Sequence, residues 1–245
     1  VDLKARRTGG AGSDGMITET MVTTTGVDAD ITADADAGFH GGYLTAEHAD
    51  VLARAWGGNI VELNISAEDK AKMIVYNGSI IDGSATSTGH DATDGVELWA
   101  FWGTSPGDPT KGNILNTVVH SYSDAVLFAN GEIIGTIANI DNEDIFLIAP
   151  TVSGGEYVTG GDVVIKSYAN ANLLPGEGDV VGISVDAGGN VFIDTGAGGD
   201  VEGSMIDALG NVAIGVAIAY DDSDPINPVI LFNPDTVTDI FSLTQ

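Results

Sequence analysis

Apolar and polar residues alternate along most of this chain with a period of two, the signature of half-buried β-strands. Residues 59–65 place Val61, Leu63 and Ile65 on one face, and residues 72–76 form another short run. Residues 95–102 (GVELWAFW) carry Val96, Leu98, Ala100 and Trp102 on one side and Glu97, Trp99 and Phe101 on the other. Aromatics on both sides predict a strand that is buried on both faces or meets an interface. Further runs follow at 114–122, 125–129, 132–138, 145–149 and 161–168. Asn130–Gly131, between two of them, is the strongest short hairpin signal, because both residues tolerate positive φ. One stretch breaks the period. Leu44, Val51, Leu52, Ala55 and Trp56 recur at helical spacing, Thr45 can cap them, Glu47 sits in the first turn, and Gly57–Gly58 closes the run. This predicts one short helix over about 45–56.

The pattern divides the chain into three parts. Residues 1–43 are rich in Thr and Gly, with Asp28, Asp30, Asp34 and Asp36 alternating with small residues and a short strand near 17–24. They read as an extended N-terminal arm. Residues 44–170 read as a β-rich domain carrying the helix, and 171–245 as a C-terminal β domain of repeated hairpins. The repeat is explicit: GISVDAGGNVFI (182–193) and GSMIDALGNVAI (203–214) agree at seven of twelve positions, 21 residues apart. Two copies read as two stacked hairpins rather than an array. Asp186 and Asp207 would close the turns, and Gly189 and Gly210 would supply positive φ. Residues 210–232 read as two apolar strands around an acidic, Pro-containing loop. The expected fold is mainly β, a β-sandwich or β-barrel-like arrangement.

Charge changes the picture. The 245 residues hold 36 carboxylates against eight Lys and Arg, a formal charge of −28. Apolar residues still make up 43% of the chain, which argues for a folded acidic protein rather than a disordered one. Asp outnumbers Glu, and Ala, Gly, Val and Thr are abundant, a bias that resembles proteins of extreme halophiles. At molar salt the Debye length is about 3 Å, so self-repulsion is screened. Without a basic stripe, specific nucleic-acid binding is not expected. There is no Cys and no apolar run long enough for a membrane span, so disulfides and a membrane partner are not expected either.

Candidate chemistry is sparse. His40, His48, His90 and His120 form no metal-ligand spacing, and Ser87–Asp91 (STGHD) reads as a polar loop rather than a triad. TGGAGSDG (8–15) and VTGGD (158–162) lack the strand-to-helix setting of a phosphate loop. DADITADAD (28–36) and DNED (141–144) offer oxygen ligands, but only loosely bound Na⁺, K⁺, Mg²⁺ or Ca²⁺ is expected there. Trp99, Phe101 and Trp102 suit a core better than a sugar platform. No catalytic residue, cofactor site or metal site is assigned, and an enzyme is the least favoured class.

GDVVGISVDAGGNVFI (178–193), GNVAIGVAIAYDD (210–222) and PVILF (228–232) resemble the short hairpins of capsid decoration (cement) proteins of tailed viruses, here over roughly the last quarter of the chain. With the acidic composition, the resemblance implies a non-catalytic virion protein of a halophilic host, assembled in the cytoplasm and bound to the capsid surface. Its implied partners are the major capsid protein and copies of itself, commonly as trimers. On that reading the arm is an assembly contact. Met16, Ile17, Met21 and Val22 would supply apolar contact, residues 9–15 a hinge, and Lys4, Arg6 and Arg7 would dock on a neighbour's carboxylates. A major tail-tube protein, a turret subunit, and an extracellular surface or filament protein of a halophile are the alternatives.

Overall fold

The computed structural model describes residues 1–6, 15–91, 94–101, 112–167, 178–196 and 199–215, with the strands Ala219–Asp221 and Val229–Leu231. The chain is mainly β, as the alternation predicts, but the architecture is a parallel β-solenoid rather than a sandwich or barrel. A ten-stranded sheet runs from Asp2–Ala5 through Ile31–Ala35, Val51–Ala55, Lys70–Val75, Gly95–Ala100, Ala125–Ala129, Ile145–Ala149, Val163–Ser167 and Val191–Asp194 to Val212–Ile214. A thirteen-stranded sheet faces it, from Met16–Thr24 and Gly38–Ala46 to Val201–Glu202 and Met205–Ala208. The chain visits the two sheets in strict alternation, so every strand lies beside its equivalent one rung away.

The side chains therefore stack in columns. In the ten-stranded sheet Ala33, Ala53, Met73, Leu98, Leu127, Leu147, Ile165 and Ile193 share one register position, and all are essentially excluded from solvent. Opposite them, Phe39, Ile60, Ile80, Ile114, Ile133, Val152 and Val180 form an equally dry column. Period two inside each strand thus feeds one continuous core. Gly95–Ala100 is buried on both faces, as its pattern suggests. Val96, Leu98 and Ala100 enter the main core, while Trp99 joins Ile74, Phe128 and Ile148 in a second apolar cluster with Phe101 packed on it.

One backbone feature recurs on every rung of the thirteen-stranded sheet. Glu19, Gly41, Glu62, Asp82, Asn116, Gly135, Gly154, Gly182 and Gly203 occupy equivalent positions, and all are left-handed, with φ between 45° and 68°. The residue bends the strand, so side chains before and after it alternate around a corner. This corner separates Ile60–Val61 from Asn64–Ala67, Ile80–Ile81 from Ser84–Ser87, and Ile114–Leu115 from Val118–Ser121.

Several expectations are corrected here. No helix spans 45–56. Gly38–Ala46 and Val51–Ala55 are strands in different sheets, joined by residues 47–50. Val51, Ala53 and Ala55 point inward at 0% exposure. Two period-two runs separated by a four-residue corner imitate helical spacing. Asn130–Gly131 makes no hairpin, because Ala125–Ala129 and Glu132–Ile140 belong to opposite sheets. The expected arm supplies the first rung: Asp2–Ala5 pairs with Ile31–Ala35, and Met16–Thr24 with Gly38–Ala46. The ten-stranded sheet also passes directly from Val163–Ser167 to Val191–Asp194, across the boundary expected near 170. Over 210–232, where two strands were expected, three are described: Val212–Ile214 closes the ten-stranded sheet, and Ala219–Asp221 pairs antiparallel with Val229–Leu231.

The corner column is testable because strain and packing separate at Gly182, where an added Cβ meets nothing within 4 Å. Gly182→Val should lower unfolding stability by about 1–2 kcal/mol through the backbone alone. Glu62→Gly, which relieves a left-handed non-glycine residue, should raise it by up to about 1 kcal/mol. Urea midpoints of the two variants against the parent check both signs.

Candidate functional site

The polar residues that looked like free chemistry are largely spent on joining rungs. At the entry to the ten-stranded sheet, equivalent positions carry Asp30, Asp50, Lys70, Gly95, Asp124, Asp144, Asp162, Asn190 and Asn211. Asp50 N–H donates to Asp30 Oδ1 (3.3 Å) and Lys70 N–H to Asp50 Oδ1 (2.9 Å). Beyond the interruption, Asp144 N–H donates to Asp124 Oδ1 (3.0 Å), Asp162 N–H to Asp144 Oδ1 (2.7 Å), Asn190 N–H to Asp162 Oδ1 (2.6 Å) and Asn211 N–H to Asn190 Oδ1 (2.9 Å). A second ladder links Asn59, Ser79, Asn113 and Glu132. Each acceptor satisfies a corner N–H that a sheet ladder leaves unpaired.

These ladders and two ion pairs engage much of the two acidic clusters. In 28–36, Asp30 is a ladder residue, Asp34 is bound by Arg54, and Asp36 accepts from Arg6 Nη1 at 3.0 Å. In 141–144, Asp144 is the ladder residue. Among the described residues, no three His, Asp or Glu side chains converge as metal ligands do.

The scarce cations are likewise engaged inside the chain. Arg54 grips Asp34 through Nε–Oδ1 (2.7 Å) and Nη2–Oδ2 (3.2 Å), and its Cζ lies 5.3 Å from the Trp56 ring centroid. Asp34, only 3% exposed, holds that guanidinium still more firmly protonated. Glu97 accepts from Lys70 Nζ at 2.7 Å and pairs with Lys72, whose ammonium also faces the Trp99 ring. Burial works to raise the Glu97 carboxyl, but the two lysines outweigh it and hold it below the usual range. Burial lowers Lys166, partly offset by Asp194 in the neighbouring strand.

The assembly contacts expected from sequence are placed as follows. Lys4 bridges Asp2 at 3.2 Å and Arg6 bridges Asp36, so both have partners in their own chain. Met16 and Met21 are exposed, while Ile17 and Val22 pack against the end of the core. Arg7, residues 8–14 of the Gly-rich segment and Trp102 lie outside the described residues. Asp186 and Asp207 do not close turns. They sit side by side on parallel strands, facing outward. Gly189 and Gly210 are not left-handed, and close approach explains them instead. Gly189 N–H donates to Gly161 O and Gly210 N–H to Gly189 O, both at 2.8 Å, leaving a Cβ at Gly189 2.1 Å from Asp162 Oδ1.

Of the histidines, His48 Nδ1 lies 2.8 Å from Glu68 Oε2 and His90 packs on Tyr122. Ser87 is fully buried, with its hydroxyl on the Asp69 carbonyl and accepting from Gly95 N–H, not set up as a nucleophile. Trp56, Tyr76 and Phe101 stack ring on ring, at 4.6 and 5.8 Å between centroids. Rings that cover each other's faces are poor platforms for a sugar.

Among the described residues, two concave features lie where Lys70 and Gly95 interrupt the Asx ladder. One cleft of about 420 Å³ is lined by Asp50, Asp69, Lys70, Asp91 and Asp94. Its neighbour, about 310 Å³, shares Lys70 and Asp94 and reaches Glu97 and Asp124. Burial, then Asp94, Asp50, Glu68 and Asp28, push the Asp69 carboxyl up. No family model, curated protein or solved structure matches this chain. Its function is therefore read from this geometry: an acidic cleft with one central ammonium, suited to attracting cations, on a rod whose Asx ladders serve the backbone.

Asp144 is the sharpest test of the ladder. Burial, then Asp162, Asp124 and Glu143, raise its carboxyl above the usual range, although the bond from Asp162 N–H opposes the shift. An acid whose folded pKa is raised binds its proton more readily when folded. Stability should therefore rise as pH falls from neutral through the raised pKa values of Asp69 and Asp144. Glu97 has the opposite sign: its contribution, complete above the unfolded value, is lost as pH falls through its depressed folded pKa. Thermal melts from pH 7 to 3 should pass through a maximum, and Asp144→Asn should reduce the rise. In low salt Asp144→Asn should also be more stable than the parent, keeping the acceptor without the charge, with a gain that shrinks in molar salt. Asp144→Leu, which strands the Asp162 N–H, should cost about 1–3 kcal/mol.

Proposed function

We propose that this protein is a non-catalytic structural component of an external assembly that works at high salt, most specifically a virion surface protein. What supports this reading is how the side chains are used. Two uninterrupted parallel sheets make a rigid rod. The described Lys and Arg residues are engaged by carboxylates of their own chain, through ion pairs for Lys4, Arg6, Arg54, Lys70 and Lys72 and through the attraction of Asp194 for Lys166. The Asx positions serve the backbone. Rigidity and an anionic coat are what a scaffold exposed to brine needs: the coat keeps copies soluble, and salt screens its repulsion.

Capsid decoration, with the major capsid protein as partner, is the narrower form of this proposal. The hairpins that suggested it are successive rungs, since Asp179–Ala187 and Val191–Asp194 belong to different sheets, so it now rests on composition and rod geometry. A surface or filament protein of a halophile is the second reading, favoured by the elongated, self-continuing form of a solenoid.

Quantitative mass spectrometry of purified virions and of cell envelopes from a saline culture decides between them. Many copies per particle, scaling with capsomers, are expected in the virion fraction. Recovery only with envelopes favours the second reading, and absence from both ends the proposal. As a companion outcome, the melting temperature should climb with KCl up to molar concentration. A salt-independent melt would remove the saline setting.

A further inference from the structure

The two ends of the solenoid differ from its middle in the same way. Within internal rungs, inward residues of the thirteen-stranded sheet such as Leu44, Ile65, Ala85, Val119 and Val185 are at most 2% exposed. At the ends, no residue of Met16–Thr24, Val201–Glu202 or Met205–Ala208 is buried. Ile17 and Val22 at one end, and Val201 and Ile206 at the other, pack on the core from one side only. Met21 (74% exposed) and Met205 (68%) stand beside them. Among the described residues, each of these terminal strands has a sheet partner on one side only.

The two ends also match. Met21 and Met205 occupy the same outward column, Val22 and Ile206 the same inward column, and Ile17 and Val201 another. Glu19 and Gly203 both take the left-handed corner conformation, at φ 45° and 61°. A second copy shifted along the axis would therefore set its first rung on the last as internal neighbours sit, continuing the parallel hydrogen bonds and burying the half-open ends. Charge favours this polarity. The first-rung strands balance Lys4 against Asp2 and Glu19, with Arg6 adjoining, whereas the last-rung strands carry Glu202 and Asp207 and no cation. Start-to-end stacking joins the balanced end to the acidic one, while end-to-end stacking would join two acidic ones.

We propose that copies of this chain stack head to tail, the Met16–Thr24 edge of one on the Met205–Ala208 edge of the next. Such a contact is heterologous and does not close, so it yields filaments. The inference stands on the ends of the fold, independently of any virion or cell-surface role.

Sedimentation velocity and negative-stain imaging of the full chain across rising KCl test it. The expected result is rods lengthening in steps of one solenoid, roughly 45 Å for nine or ten rungs at about 4.8 Å each. Association should strengthen as salt screens the net charge. Met21→Glu with Met205→Glu sets like charges against each other across the join and should weaken association at least tenfold. Both positions are exposed, so the monomer's melt should be unchanged. Met21→Lys with Met205→Glu should restore assembly. A protein that stays monomeric at every salt concentration, with its ends covered by its own remaining segments, overturns the proposal. So do compact closed oligomers, or association that the double Glu variant leaves intact.

Discussion

Parallel, in-register pairing places each side chain about 4.8 Å from its equivalent on the next rung, and the rest of this molecule follows from that constraint. Like must stack on like, or on something that tolerates it. Aliphatic columns satisfy the rule at once, because burial rewards every member. Rings satisfy it by stacking, as Trp56, Tyr76 and Phe101 do. Amide and carboxyl groups satisfy it when each oxygen accepts the backbone N–H of the neighbouring rung, which turns Asp124, Asp144 and Asp162 into mortar.

Carboxylates make imperfect mortar. Their oxygens are good acceptors, but stacking buries the carboxyls and brings like charges together; burial first and the neighbouring charges second raise the Asp144 carboxyl. Where the column turns from Asp162 to Asn190 and Asn211 the geometry persists without the charge. On the outward side of the ten-stranded sheet the conflict is resolved by alternation. The column opens with Lys4, Asp34 and Arg54, continues through Ile74, Trp99, Phe128 and Ile148, and ends with Lys166 and Asp194. Charges of alternating sign close the apolar run at each end.

Strands were legible in the sequence because period two is local. The solenoid was not, because its period is carried by positions about twenty residues apart that vary in type. Ladder bonds span 20 residues at Asp30–Asp50, Asp50–Lys70 and Asp124–Asp144, but 18, 28 and 21 at the later steps. Loops of unequal length hide the repeat. The duplicated GISVDAGGNVFI and GSMIDALGNVAI were two rungs, and the Gly that matters for the corner was the first of each, Gly182 and Gly203, rather than Gly189 and Gly210. The partners of the acidic clusters were hidden for the same reason: those of Asp30, Asp34 and Asp144 lie one rung away, beyond any local window. Met16 and Met21 are exposed, whereas Lys4 and Arg6 pair with Asp2 and Asp36 of their own chain at the surface.

The left-handed corner also governs how such a chain can change over generations. A residue inserted between the corner and its flanking strand would turn the remaining side chains of that strand inside out. A residue inserted where the chain crosses between sheets only lengthens a loop. Length is therefore heritable in two currencies, loops of any size at the crossings and whole turns along the axis. A descendant that gains or loses one turn keeps every column intact, so the molecule behaves as a ruler graduated in rungs.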